Sequence, residues 1–232
     1  MIRLLFGLFL AALVLAGALA MARADWWTLP ALIAGWYLAD MLSGLIHMTL
    51  DYYPCPVGQG IPEIYFYPGS RESADYLAKR AAVMARLNAF ERVVFDFKTH
   101  HPRPDALGRR PLLVQIGPTL VLALPAALVL DAWGRWGHAP GWIMALGTTL
   151  LAGSGFAQYF HGSLHVPRAP GHVTVMRALG LLMTPAAHQR HHDTLTRDFA
   201  TNCGWSNPLV NAVFAALRQR GHLPDSGLEP TA

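Results

Sequence analysis

Four apolar runs decide what this chain can fold into. They cover residues 4–22, 27–50, 112–131 and 140–160. A helix of about 20 apolar residues crosses a hydrocarbon core about 30 Å thick, whereas a tilted barrel strand needs only about 10. No water satisfies backbone groups inside lipid, so runs of this length are helices. Composition agrees: 53% of residues are hydrophobic and 14% charged, against about 25% charged in soluble domains. The expected fold is all-α and polytopic, with about four transmembrane helices in a single domain over 1–221. A disordered tail is expected over 222–232. The first run has a second reading, because Ala22-Arg23-Ala24 has the small-x-small form of a signal-peptide cleavage site. Its length favours a retained span. Cys55 and Cys203 stand alone, without a C-x-x-C, so neither a disulfide framework nor a thiolate metal site is expected.

Polar residues interrupt these runs at particular places. The second run ends with Asp40, His47 and Asp51; His47 and Asp51 share a face at i, i+4, and Asp40 falls on roughly the same face. Ionisable groups at membrane depth are costly and are functional candidates. Residues 52–111 carry nine Lys or Arg and several Pro-Gly turns. Apolar residues recur at helical spacing from Glu72 to Lys98, which predicts one amphipathic helix on the membrane surface. That helix leads into His100-His101-Pro102, and the proline predicts a helix end there. The fourth run closes on His161 and His165, again i, i+4. An apolar stretch over 173–185 is too short to cross and leads into His188-x-x-His191-His192. On a helix these last three imidazoles lie on one face. A short amphipathic helix should follow Asn202–Pro208 and run to about Arg218.

Topology brings the histidines to one side. With four spans and both termini on one side, the 52–111 loop and the tail share that side and hold nine and six basic residues. The opposite loops hold only Arg23 and Arg135. The positive-inside rule makes the basic side cytoplasmic. His47, Asp51, His100, His101, His161, His165, His188, His191 and His192 all fall there, as a His-rich cap. His138 falls opposite; it, His172 and His222 belong to no cluster and are expected to be structural. Lys79 and Lys98 are the only lysines. This arginine bias points to a GC-rich bacterial source, and so to an inner membrane. No nucleic-acid partner is expected.

Eight histidines and a carboxylate exceed what one ion takes, which is about six donors at most. Two ions are the economical reading. Nitrogen-rich ligation at a membrane surface suits a pair of irons that activate oxygen, since soluble di-iron bundles use mostly Glu. Haem ligands would sit mid-span on facing helices, which these do not.

The motifs now carry a resemblance. Ser43-Gly44-Leu45-Ile46-His47 with Asp51, His100-His101 followed by Pro104, Gln158 with His161-x-x-x-His165, His188-x-x-His191-His192 and Gly204-Trp205-x-Asn207 resemble the Kua/CarF-type membrane lipid desaturases, the plasmanylethanolamine desaturase family. The resemblance covers residues 39–208. It implies two iron ions held by the nine residues of the cap, O2 as co-substrate, and desaturation of a chain on a phospholipid in the bilayer. The best-known members form a vinyl ether, and a plastid relative desaturates an acyl chain. Electrons must come from an external donor, ferredoxin or cytochrome b5-like, because no flavin or haem motif is present. The chain departs from the family at Arg110-Pro111-Leu112, where His-Asp-Phe is usual, and near Thr196 and Arg197, where another His often stands. The segment from Asp51 to His100 is also longer than usual. Two other readings stay open: hydroxylation or acyl-lipid desaturation with the same metals, and a non-catalytic metal-binding membrane protein.

Overall fold

The computed structural model describes residues 1–230, and among them it contains helices and no strand. Twelve helices follow in order: α1 Ile2–Ala22, α2 Thr28–Tyr52, α3 Ile61–Tyr65, α4 Ala74–Arg86, α5 Ala89–His100, α6 Asp105–Gly108, α7 Leu112–Trp136, α8 Gly141–Gly155, α9 Ala157–Ser163, α10 Gly171–Ala178, α11 Pro185–Thr194 and α12 Asn207–Gln219. The chain divides into two compact units: Met1–Leu45 with Asp105–Asn211, and Ile46–Pro104 with the residues from Ala212 onward.

The larger unit holds two membrane helices whole and most of a third, α2, whose last residues from Ile46 belong to the smaller unit. α1, α2 and α7 have 21, 25 and 25 residues and are apolar enough to cross a bilayer. No more than 33% of each crossing segment is buried within the protein, so most of its surface is left for lipid. α1 packs on α7 and α8, and α7 on α8. A Cβ on Gly35 of α2 would stand 2.2 Å from the Leu146 carbonyl of α8, so only glycine permits that approach. Thr149 Oγ1 of α8 donates to Leu32 O at 2.9 Å across the same contact. At one end of this bundle Trp26, Trp27, Trp133, Trp136 and Trp142 are exposed. Arg23 ties the α1–α2 turn to Ala139 O at 2.8 Å, bringing the two short loops together under that aromatic belt. The chain is an integral membrane protein.

The fourth apolar run is not a single rod. α8 stops at Gly155, Phe156 leaves helical geometry at φ −97° and ψ 2°, and α9 resumes at Ala157. Fifteen residues rise only about 22 Å, too short to cross alone; the two segments together reach about 34 Å. Close packing sets the break. Thr119 Oγ1 of α7 donates to the Gly155 carbonyl at 2.7 Å, and the Phe9 ring occupies the space a Cβ on Gly155 would take.

The smaller unit has its own apolar core, in which Ile61, Ile64, Tyr76, Leu87, Val94 and Phe95 are buried. The single amphipathic helix expected over 72–98 is two helices. Leu87 is extended and buried, and Asn88 opens α5 with a capping box: its side chain accepts from Glu91 N, and Glu91 accepts from Asn88 N. A strong helix start inside a periodic stretch divides it. The tail also differs from the disorder expected after residue 221. Asp225–Gly227 form a 3-10 turn, Arg218 pairs with Asp225 at 2.6 Å, and the Gly227 carbonyl accepts from the Lys98 ammonium. A buried ammonium needs acceptors, and the tail supplies one. Thr231 and Ala232, also part of that expectation, lie outside the described residues.

Candidate metal centre

Each unit carries one cluster of nitrogen ligands. In the larger unit α9 presents His161, the turn after it His165, and α11 His188 and His192. Their ligand atoms lie within 4.8 Å of one another. His161 Nε2 is 3.1 Å from His188 Nε2, which is 3.2 Å from His192 Nε2. α11 forms where it does because Thr184 caps it, accepting from Ala187 N, and Pro185 opens its first turn. It ends at Leu195, which takes a left-handed φ of 56°. The 3.6-residue period then places His188 and His192 one turn apart on one face, and His191 beside them with its ring 5.5 Å from His188.

Hydrogen bonds orient these rings. The Arg197 carbonyl only accepts, so His191 donates to it from Nδ1 at 2.9 Å; this leaves Nε2 with a lone pair for a metal. Arg177 donates to Ser163 O at 2.9 Å, Ser163 Oγ at 3.0 Å and Met183 O at 3.0 Å. One guanidinium thereby joins the end of α9 to the segment that starts α11. Burial pushes its pKa down.

In the smaller unit the end of α2 and the end of α5 build the second cluster. The Asp51 carboxylate lies 3.3 Å from His47 Nε2 and 3.4 Å from His101 Nε2, and His47 and Asp51 are fully buried. The ligand atoms of these three lie within 4.8 Å of one another. The His100 ring stands 5.4 Å from that of His47. Its Nδ1 donates to the Phe97 carbonyl, again leaving Nε2 as the lone-pair nitrogen. α5 ends at His100 as expected, with His101 capping it, although His101 keeps right-handed helical dihedrals despite the following proline. Lys98 closes the C-terminal end of α2: its buried ammonium donates to Asp51 O at 2.7 Å, Leu50 O at 3.4 Å and Gly227 O. Burial lowers its pKa.

The donor sets fit metal ions. Two imidazole nitrogens about 2.1 Å from one ion, at cis or tetrahedral angles, stand roughly 3.0–3.4 Å apart. The spacings within the larger unit's cluster fall in that range. Clustered imidazoles, two of them held by carbonyls at Nδ1, with a carboxylate in the second cluster, suit a borderline cation such as iron.

Seven of the nine residues singled out from sequence therefore lie in one or other cluster, and His191 and His100 stand beside them. Asp40, on the face of His47 in the primary sequence, does not join them. Its carboxylate accepts from Cys203 N at 2.7 Å, Gly204 N at 2.9 Å, Ser206 N at 2.9 Å and Ser206 Oγ at 2.7 Å. It is an anion lodged in the turn that starts α12. Lys98, Arg177 and the Arg197 carbonyl escaped sequence reasoning. A lone lysine beside a His pair was the one available signal, and a backbone carbonyl leaves none.

The chain is similar to known proteins. The lipid desaturase domain family matches residues 85–218, more than half of the chain. A relative from Myxococcus xanthus, plasmanylethanolamine desaturase, is 24% identical over 210 residues. That match covers 88% of this chain and 64% of the relative, so the chain spans less than two thirds of the relative's length. No solved structure matches. On the extent of the family match, and with two His-rich clusters in a membrane helical protein, the chain belongs to the lipid desaturase domain family.

Proposed function

We propose that the protein is an oxygen-dependent desaturase of a phospholipid-bound chain, holding two irons, one in each cluster. The observation that carries this reading is the convergence of imidazole nitrogens in both units. His161, His165, His188 and His192, flanked by His191, hold one ion; His47, Asp51 and His101, flanked by His100, hold the other. Bound iron supplies the activation of O2 that lets hydrogen be taken from an unactivated carbon pair. The reaction balances when –CH2–CH2–, O2, two electrons and two protons give –CH=CH– and two waters. The electrons come from an external donor of ferredoxin or cytochrome b5 type. The chain's own residues fix the tautomers: the Arg197 and Phe97 carbonyls hold His191 and His100 with Nε2 unprotonated, and Lys98 and Arg177 lock the backbone that carries the ligands.

The substrate enters from the bilayer, as the membrane-crossing helices suit. The name of the Myxococcus relative makes the alkyl ether of an ethanolamine phospholipid the first candidate, with a vinyl ether as product. The protein lies in a bacterial inner membrane, with both termini and both clusters cytoplasmic and residues 1–221 serving one catalytic domain. In the assay, cells making the protein are fed an alkylglycerol, and their lipids are treated with acid, which releases aldehydes from vinyl ethers. Aldehyde release that depends on the intact protein is expected. A new acyl double bond without aldehyde would move the substrate to an acyl lipid, a hydroxylated lipid would move the reaction to hydroxylation, and no lipid change would overturn both. Purified protein should carry close to two irons per chain. His188→Ala should halve that figure and lower turnover at least about 100-fold, and full activity in this variant would remove the cluster from the active site.

A further inference from the structure

A cavity of about 430 Å³ opens beside α11 in the larger unit, bordered by Arg190, Arg197, Asp198, Gly204, Asn207 and Asn211. The two arginines are 64% and 55% exposed, whereas Asp198 is buried. Asp198 Oδ2 faces Arg197 Nε at 3.2 Å and Arg190 Nε at 3.6 Å. Its Oδ1 accepts from Asn211 Nδ2 at 3.2 Å, and Asn211 Oδ1 accepts from Asp198 N at 2.8 Å. These bonds hold Asp198 at a φ of 60°, so the carboxylate is fixed and both its oxygens are engaged. Only Arg197 Nε reaches hydrogen-bond distance of this carboxylate, while each guanidinium carries five N–H donors. Two positive charges face one negative charge, leaving one positive charge on two largely exposed guanidinium groups.

A second feature lies next to the first. Cys203 and Gly204 border the cavity, and the following residue, Trp205, borders two apolar grooves of about 650 and 240 Å³. Leu29, Ile33 and Tyr37 of α2 line the first groove, on the face of a membrane-crossing helix. Consecutive residues, Gly204 and Trp205, therefore line a cationic cavity and an apolar wall that belongs in lipid. A free phosphate ion needs only the cavity. A phosphodiester carries one negative charge, which matches the unbalanced positive charge, and its hydrocarbon chain matches the wall.

We propose that Arg190 and Arg197 form the phosphate subsite for a phospholipid, with one of its chains laid past Trp205 along α2. The inference rests on the phospholipid reading of the substrate and gives that substrate a headgroup site. Arg190 shares α11 with His188, His191 and His192, so the same helix that holds metal ligands would hold the phosphate end of the lipid.

The test reads binding, not turnover. Detergent-purified full-length protein is titrated with dioleoyl phosphatidylethanolamine, with dioleoylglycerol and with inorganic phosphate, and bound species are counted by native mass spectrometry. The phospholipid should bind at least tenfold tighter than the diacylglycerol. The double variant R190Q/R197Q should lose about 10- to 100-fold in phospholipid affinity and leave diacylglycerol binding unchanged. R190K/R197K keeps the charge but loses the fork, and should fall between them; it also serves if the glutamine variant does not fold. An unchanged phospholipid preference in either folded variant would overturn the proposal. So would inorganic phosphate that binds as tightly as the phospholipid, because the cavity would then be a free-anion site. A failure of desaturation in the lipid assay would leave this binding result standing, so the two readings fail separately.

Discussion

At the scale of single residues, Asp40 and Cys203 show how a polar group becomes structural. Asp40 accepts four hydrogen bonds from the 203–206 turn while completely buried. Asn in its place offers one oxygen where two are used, and turns an NH2 toward N–H donors. Asp40→Asn should therefore lower unfolding stability by about 3 kcal/mol, read by thermal unfolding in detergent. Iron per folded chain should stay unchanged; a loss of iron would make Asp40 a ligand after all. Cys203 sits in the same turn, and its thiol is pushed from 9.0 up to about 12 by burial first and by the Asp40 carboxylate second. The folded state thus favours the neutral thiol. Its contribution to stability is complete below pH 9.0 and declines as pH rises from there towards about 12. Iodoacetamide should accordingly modify Cys203 slowly at pH 8–9 in the folded protein and rapidly once it is denatured, as followed by peptide mass spectrometry. Equal rates would contradict the burial.

At the scale of elements, the spans pack by close approach more than by side-chain bulk. The larger unit spends glycine where helices meet: Gly35 against Leu146, Gly153 against Ala39 and Gly155 against Phe9. Gly35→Ala inserts a methyl 2.2 Å from a backbone carbonyl and 2.3 Å from Thr149 Oγ1. Neither neighbour can yield without moving α8, so the variant should lose about 1–3 kcal/mol and unfold at a lower temperature in detergent. An unchanged midpoint would mean that α2 and α8 are not in contact. The same logic accounts for the break between α8 and α9. A helix threaded by Phe9 and bonded by Thr119 at its carbonyl end bends, and the bend lets α9 present His161 on a new axis.

At the scale of the whole molecule, charge and aromatic residues make one topology testable. The segments expected on the basic side carry nine and six Lys or Arg, and the opposite loops one each. Those opposite loops also carry the exposed tryptophans of the interface belt. Reporters placed near Arg71 and after Arg220 should both read cytoplasmic, and one placed at Gly137 should read periplasmic. That outcome requires α8 and α9 to make a fourth, bent crossing. A periplasmic signal at Arg220 would instead leave three crossings and put the termini on opposite sides.

Local sequence rules determined the helical class, the positions of three spans and the nine ligand candidates. A bilayer enforces helix through length and polarity alone, and imidazoles at i, i+4 share a face in any helix, so neither needs knowledge of distant residues. The two surface helices of α4 and α5 were one step beyond such rules, because periodicity survives a cap that interrupts it. Tertiary structure alone decided the rest. Asp40 looked like a partner of His47 until residues 163 to 166 positions later wrapped around its carboxylate. The tail looked disordered until Gly227 met an ammonium 129 residues away in sequence. The tautomer of His191 depends on a carbonyl whose direction comes from the turn after α11. In each case the deciding contact is a directional hydrogen bond between distant parts of the chain, and its partner is set by packing rather than by any local pattern of residue types.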